Sequence, residues 1–539
     1  MLRLVSSTVG PIAVAAGGSA PAQTVEAYNA GDGSLGLSVS VPSSVTWLTA
    51  ALGPQRACQS IATVANCLPI NFTLNTSGLA AGKAYTGIVT VTDANPNTVD
   101  APQTITVTVQ VGGVDAGYVA PGSSLDIPIT ANHLLKTTAT TQDGNNWLSL
   151  VLDGTGSFRF VFPYRIHVQP TANMGTGTYN GSVTTSGSSV AGENVTIPVT
   201  MRVTTQPIAQ AAPSAINLRL AQGAPPLVYP FDPFIALNNL GQGTLTPGTM
   251  TTSGGSWIKP DPLVPGFVAI DPAGLSIGDS TGSVTIPSNA VNSPATVPVT
   301  VQVVAKGAPF ICYQCVLDNI TSLPGDAVSQ GDVTIVKGDQ LSFSPFAASQ
   351  TSPLPTQLGG TSVLVNGVAA PLYYTSYGQI AFQLPYDTPV GQAVVRVKRD
   401  DGQTGNPVSV NVVVHAPRLL PRVDNQDSTI NLPDGSHPAK RGDTIVLYGF
   451  GFGPTNPPVV AGAAAPLSPL ANVTGQILVN FGGNITAPQI VPAFAGLIPP
   501  FAGVYQVNVV IPDNAPTGIV DVSIGFDDAR SNSLRIAIR

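Results

Sequence analysis

The phrase "YTGIVTVT" at Tyr85–Thr92 returns as "YNGSVTTS" at Tyr179–Ser186 and again as "STGSVTIP" at Ser280–Pro287. A chain that repeats a strand-like phrase about every hundred residues does not build one large core, so each copy must complete a core of its own. Trp47 in "WLTA", Trp147 in "WLSL" and Trp257 in "WIKP" precede the three copies, and the chain has no other tryptophan. Each unit then closes on an alternating segment: "QTITVTVQV" ending at Val111, "VTIPVTMRV" ending at Val203 and "ATVPVTVQVV" ending at Val304. Apolar residues alternating with Thr or Gln mark a strand with one buried face. The pattern predicts three β-sandwiches over residues 1–112, 113–205 and 206–305. Each should bury its tryptophan and enter its penultimate hairpin through a tight glycine turn at Gly87, Gly181 or Gly282.

A different duplication fills the remainder. "GQIAFQLPYDTPVG" from Gly378 and "YQVNVVIPDNAPTG" from Tyr505 align at a constant offset of 127. Upstream, "KGDQLSF" from Lys337 matches "RGDTIVLYG" from Arg441, and "LVNG" from Leu364 matches "LVNFGG" from Leu478. Two further sandwiches are expected, residues 306–417 and 418–539. The fold class is therefore all-β, a tandem array of about five immunoglobulin-like sandwiches.

Composition agrees and removes some functions. Only two glutamates occur, Glu26 and Glu193, so the common surface helix formers are scarce while Val and Thr abound. Glycine (56) and proline (50) together stay below the share that signals disorder and stand between apolar runs as turn punctuation. A net charge of −7 with no basic block argues against nucleic acid, whose phosphates require Lys and Arg. No apolar run reaches the length of a membrane-spanning helix. In "MLRLVSSTVGPIAVAAGG", Ser6, Ser7, Gly10 and Pro11 interrupt a signal-peptide core, and the segment reads as a first strand.

The first three units, with "W-L-T/S", "Y-T-G-x-V-T-V" and a terminal "V-T-V-x-V", resemble the BACON-like family of bacterial immunoglobulin-type domains. That resemblance implies the sandwich fold and a link to carbohydrate or mucin binding. Residues 306–539 carry "VLVNGVAAPLYYTSYGQIAFQLPYDTPVGQAVVRVKRD", "NQDSTIN", "HPAKRGDTIVLYGFGFGP" and "YQVNVVIPDNAPTG" in order. They resemble the uncharacterised, IPT/Ig-like C-terminal region of many secreted acidobacterial proteins, which implies fold and secretion but no chemistry.

Four cysteines in an apparently secreted chain favour two local disulfides, Cys58–Cys67 and Cys312–Cys315. Zinc needs about four ligands, whereas His133, His167, His415 and His437 are scattered, so no metal or other cofactor is expected. "GDSTG" around Ser280 has the spacing of a nucleophile elbow, yet Ser280 occupies the repeat position of Tyr85 and Tyr179 and belongs to a strand. "RGD" at Arg441–Asp443 reads as a turn, and "DNQD" at Asp424–Asp427 as a turn rather than a calcium loop, since the full EF-hand spacing is absent. No catalytic constellation stands out. The ligand-binding candidates are Tyr373, Tyr374 and Tyr377, which with Tyr386 cannot all face one core in a period-2 strand. The expected function is a secreted or cell-surface structural or adhesive protein without catalytic activity. Carbohydrate binding and self-assembly into a filament or surface layer are the alternatives. The partners would be an extracellular polysaccharide or other copies of the chain.

Overall fold

The computed structural model describes residues 1–539 except 15–16, 44, 62–63, 81–82, 96–97, 99, 132–133, 154–161, 189–193 and 484–486. His133 and Glu193 lie outside the described residues. Among the described residues there is no α-helix, and one short 3-10 turn, Pro272–Gly274, interrupts an otherwise all-β chain. The chain is a tandem array of β-sandwiches. It falls into two compact units, residues 1–219, 227–270 and 279–302 in the first and residues 220–226, 271–278 and 303–539 in the second.

The first two repeats share one plan. In the first, Thr8–Val14, Gln103–Val111, Lys83–Asp93 and Leu37–Ser40 form one sheet, facing Leu2–Leu4, Gln23–Asn29, Asn66–Leu74 and Leu48–Leu52. In the second, Val114–Val119, Thr196–Val203, Gly177–Ser186 and Lys136–Thr141 face Leu125–Ala131, Phe162–Val168 and Leu148–Leu152. The opening strand of each lies parallel to the closing strand, with a break in register between Val9 and Ile12 and between Asp115 and Tyr118. The alternating closing strands bury one face: Ile105, Val107 and Val109 are fully buried in the first repeat. The third repeat keeps the order Ile216–Ala221, Ala295–Val304, Gly278–Ile286, Thr251–Ser253, but its other face is reduced to Ile258–Pro260 with Val268–Ile270.

The repeated glycines are not turns. Gly87, Gly181 and Gly282 sit inside the strands Lys83–Asp93, Gly177–Ser186 and Gly278–Ile286. What they provide is room for the tryptophan. A Cβ on Gly181 would lie 3.3 Å from Trp147 Cη2, 2.8 Å from Leu148 Cδ2 and 2.7 Å from the Thr140 carbonyl oxygen. At Gly87 it would lie 2.8 Å from Leu48 Cδ2 and 3.4 Å from Trp47 Cζ2, and at Gly282 it would lie 3.1 Å from Trp257 Cζ2. Trp47, Trp147 and Trp257 are all buried. The two halves of the repeat signature are therefore two sides of one contact, a large ring seated over a residue with no side chain.

The second unit contains the last two sandwiches. In one, Phe310–Asp318, Val333–Asp339, Gln379–Gln383 and Leu372–Thr375 pair in that order. In the other, Arg418–Asp424, Thr444–Phe450, Tyr505–Val510 and Phe494–Leu497 do the same. This equivalence corrects the expected pairing of "KGD" with "RGD". Lys337–Asp339 ends a strand, whereas Arg441–Asp443 precedes one, so they are not counterparts. The counterpart of Arg441–Gly442–Asp443 is Gln330–Gly331–Asp332. Gly331 and Gly442 have φ of 76° and 85°, and the amides of Asp332 and Asp443 bond the carbonyls of Ser329 and Lys440. Both glycines thus occupy the left-handed region that a side chain disfavours. Gly338 aligns instead with Gly449, and a Cβ on either would collide with a backbone carbonyl of the neighbouring strand, that of Phe310 or Arg418.

Candidate functional site

The run Tyr373, Tyr374, Tyr377 and Tyr386 is placed by a defect in its strand. Between Leu372 and Tyr374 the register with Gln379–Gln383 shifts, which lets the adjacent Tyr373 and Tyr374 rings share one face. They cover Leu317, Ile335 and Ala381, so this sheet is buried on its outer side as well as toward its own core. The Tyr374 hydroxyl accepts from Gln379 Nε2, and the Tyr373 hydroxyl donates to the carbonyl of Ala502 in the last sandwich. Tyr377 is buried, its hydroxyl accepting at 2.7 Å from the Ala221 amide, with Phe343 against its ring edge. The hydroxyls of all three ligand-binding candidates have partners within the chain. Tyr386 packs on the core of the last sandwich, and its hydroxyl lies 3.2 Å from that of Tyr505, which donates to the Gly453 carbonyl.

This polar layer holds two sandwiches together. Gln383 donates to the Gly331 carbonyl at 3.1 Å and accepts from the Gly462 amide at 2.6 Å, while Leu354 bonds back to Gly462. Arg418 Nη2 reaches Asp326 at 2.9 Å, and Arg418 Nε stands 3.7 Å from the buried Asp318. Beneath lies Asp332, fully buried, with one carboxyl oxygen that has no partner. Burial, aided by the nearby Asp318 charge, pushes its carboxyl up to about 8. Burial also raises the Tyr373 and Tyr505 phenols well above their usual range and Tyr386 to about 12. Asp443, the repeat counterpart of Asp332, is only half-buried and accepts from the Lys440 amide at 2.8 Å. The same turn residue is thus a rim group in one sandwich and a sealed acid in the other.

Both disulfides are formed. Cys58–Cys67 ties the Arg56–Ala57 strand to Asn66–Leu74, and Cys312–Cys315 closes the irregular part of Phe310–Asp318, where the register breaks between Ile311 and Val316. Ser280 lies in a strand. In the "DNQD" turn, Asp427 accepts from the Thr429 amide and hydroxyl, and Asn425 donates to the His437 carbonyl. His167 pairs with Asp126, and His415 stacks on Phe526. Sequence reasoning missed Asp332, Gln383 and Tyr505. The signal that finds Asp332 is the alignment of "QGD" with "RGD" ahead of equivalent strands.

No family model and no curated protein matches the chain. Among solved structures it is similar to protocadherin gamma B7 extracellular cadherin domains 1–4, at 12% identity over 68% of this chain and 92% of that one, TM-score 0.16. It is similar to protocadherin gamma B2 extracellular cadherin domains 1–5, at 10% identity over 93% of each chain, TM-score 0.16. An endo-fucoidan hydrolase, MfFcnA4 from glycoside hydrolase family 107, matches at 14% identity over 55% of this chain, TM-score 0.15. The chain spans only 43% of that hydrolase. Overlaps this loose say nothing about function.

Proposed function

We propose that the chain is a secreted or cell-surface modular protein with a structural or adhesive role and no catalytic activity. The observation that carries this reading is the spending of reactive and aromatic groups on internal junctions. Tyr373, Tyr386, Tyr505 and Gln383 fasten one sandwich to the next. Such a layer stiffens a tandem array. Two closed disulfides suit an oxidising compartment. A glycan site at Tyr373, Tyr374 and Tyr377 has less support, because those hydroxyls already have partners. Fractionation of the native host with an antibody to the chain tests the compartment. Recovery outside the cytoplasm, with no titratable thiol under denaturing conditions, is expected. Cytosolic recovery with four titratable thiols would overturn the reading.

A second reading, association between copies, is favoured by the sheet edges. Leu37–Ser40, Lys136–Thr141 and Thr251–Ser253 each end a sheet, and together they carry a single charged side chain, Lys136. Edges without charges or prolines invite strand pairing between molecules. Electron microscopy of concentrated protein should then show ordered polymers, and a monodisperse monomer at all concentrations would count against it.

A further inference from the structure

The opening strands of the last two sandwiches carry the same defect, and only one of them contains cysteines. From Ile311 to Val316 the chain takes five steps while its partner strand takes two, from Gly338 to Val336. From Leu419 to Val423 it takes four steps against two, from Gly449 to Leu447. Each excursion is entered through an asparagine clamp. Asn406 accepts from the Ile311 amide at 2.8 Å and donates to its carbonyl at 2.9 Å, and Asn532 does the same for Leu419 at 2.7 and 3.0 Å. Each is left through resumed pairing, Val316 with Val336 and Val423 with Leu447. The last sandwich therefore builds its excursion with "LPR" at 420–422 and no cross-link. In the fourth, Cys312–Cys315 joins two points whose separation the backbone has already fixed.

This disulfide is also open to attack. Tyr313, 52% exposed, and the exposed Gln314 form its tip, and both cysteines are partly exposed, whereas Cys67 of the other disulfide is 1% exposed. Gln314 has a φ of 55°, in the left-handed region that a residue with a Cβ disfavours, and residues 420–422 of the last sandwich include no such conformation. Cys312 Sγ stands 3.3 Å from the Lys337 carbonyl oxygen. A disulfide sulfur has no hydrogen to give that oxygen, but a reduced thiol does. The same backbone thus accommodates both oxidation states.

We propose that Cys312–Cys315 is a reversible thiol–disulfide exchange site whose substrate is a dithiol. One thiolate of the dithiol attacks a sulfur of the pair, the Cys312–Cys315 bond breaks, and the released cysteine leaves as a thiolate. The second thiolate of the dithiol then displaces the remaining cysteine. The dithiol departs as a disulfide, oxidised by two electrons, and its two protons pass to Cys312 and Cys315. The spacing of the pair selects a dithiol over a monothiol. A cysteine freed only three residues from its former partner expels a monothiol by closing the ring again, whereas a dithiol completes the exchange with its own second sulfur. Opening the ring also releases the constraint on Gln314. The inference goes beyond the structural role proposed above and leaves it standing, because a chain recovered from an oxidising compartment carries the bond closed.

Equilibration of the full chain with graded ratios of reduced to oxidised dithiothreitol, followed by acid quenching, alkylation and peptide mapping, tests it. Cys312–Cys315 should open at a ratio at least about tenfold lower than Cys58–Cys67 requires, a difference of about 30 mV or more. The Cys312→Ser/Cys315→Ser variant should melt as the parent does, since the asparagine clamp and the resumed pairing hold the excursion without the bond. Folded Cys315→Ser should take up glutathione at Cys312 from oxidised glutathione, which measures access to the sulfur. Opening of Cys58–Cys67 at the same ratio or a lower one would overturn the proposal. So would a double serine variant whose second unit melts well below that of the parent, because the bond would then be structural. A folded Cys315→Ser chain that takes up no glutathione would overturn it as well.

Discussion

Asp332→Asn should stabilise the second unit at neutral pH. Asp332 is fully buried, one of its oxygens has no partner, and its other oxygen is 3.4 Å from the Ser329 amide. The charged groups acting on it are Asp318, which opposes ionisation, and Arg418, which favours it. Burial dominates, raising the carboxyl from 3.8 to about 8. A carboxyl raised on folding holds its proton more tightly in the folded chain. Stability is therefore greatest below about pH 4, falls as pH climbs toward 8 and is flat above that. At pH 7 about three pH units of that span have been crossed, so the ionisable carboxyl costs about 4 kcal/mol at 1.36 kcal/mol per unit. Asparagine keeps the shape and removes the titration, at the cost of about 1–2 kcal/mol for a buried amide whose hydrogens lack acceptors. A net gain of roughly 2–3 kcal/mol follows, or about 4–12 °C in melting temperature for a body of this size. The gain should vanish at about pH 5 and become a loss of about 1–2 kcal/mol at pH 4, where only the amide's cost remains. Calorimetry of parent and variant between pH 4 and 8.5 measures both the gain and its slope. Equal pH slopes in the two proteins would refute the assignment of the buried acid.

Further outcomes follow from the same geometry. Gly181→Ala should destabilise the second repeat by about 1–3 kcal/mol, read by urea unfolding, because its Cβ meets Leu148 and the Thr140 carbonyl oxygen closer than 3.0 Å. Gly442→Val should cost about 1–3 kcal/mol through its positive φ, with nothing near its Cβ to clash. Arg441→Lys loses only the paired donation to the Ala515 carbonyl and should shift the melting temperature little. Cys58→Ala should cost about 2–3 kcal/mol, confined to the first repeat in hydrogen exchange. Asp232 has its carboxyl pushed from 3.8 up to about 6 by burial and then by Asp261, so protection of residues 227–235 from exchange, corrected for the intrinsic pH dependence of exchange, should weaken from pH 4 to 6 and level off above, and Asp232→Asn should abolish that change.

Much of the fold was legible because period-2 alternation is written into each closing strand. "TITVTVQV" has one possible buried face, and the structure buries it. The glycines were legible as a pattern and misread as a cause. A glycine in a strand signals either a turn or a close approach, and only the position of the ring that approaches decides between them. Trp147 stands more than thirty residues before Gly181, so the contact that explains both is invisible to any local reading. The tyrosine cluster shows the same limit. That Tyr373 and Tyr374 cannot share one face of a regular strand is readable from their adjacency, but the register shift that lets them do so depends on pairing with Gln379–Gln383. The effect of Asp261 on the buried Asp232 carboxyl likewise links two loops that no periodicity connects.

The mispaired "RGD" explains why such distant contacts matter more than the motif itself. Matching letters joined Lys337–Asp339 to Arg441–Asp443, while hydrogen bonding joins Gln330–Asp332 to it, through a turn in which glycine takes a positive φ and aspartate bonds the backbone three residues earlier. The first residue of the triplet is Gln in one copy and Arg in the other, which frees that position from the turn's requirements. Arg441 uses its freedom to grip Ala515 within its own sandwich. Gln330 uses its freedom to reach the Thr388 carbonyl at 2.7 Å. The aspartate is bound by the turn in both copies, but what surrounds it is not. Tyr386 lies so close over Gly331 that a Cβ there would collide with its ring, whereas Gly442 faces open space. One duplicated turn has therefore become the buried seam between sandwiches in one copy and remained surface in the other. Gly331→Ala should consequently disrupt the seam, and Gly442→Ala should cost only its backbone strain, about 1 kcal/mol. Equal losses of stability from the two substitutions would show that the seam contributes nothing beyond the turn.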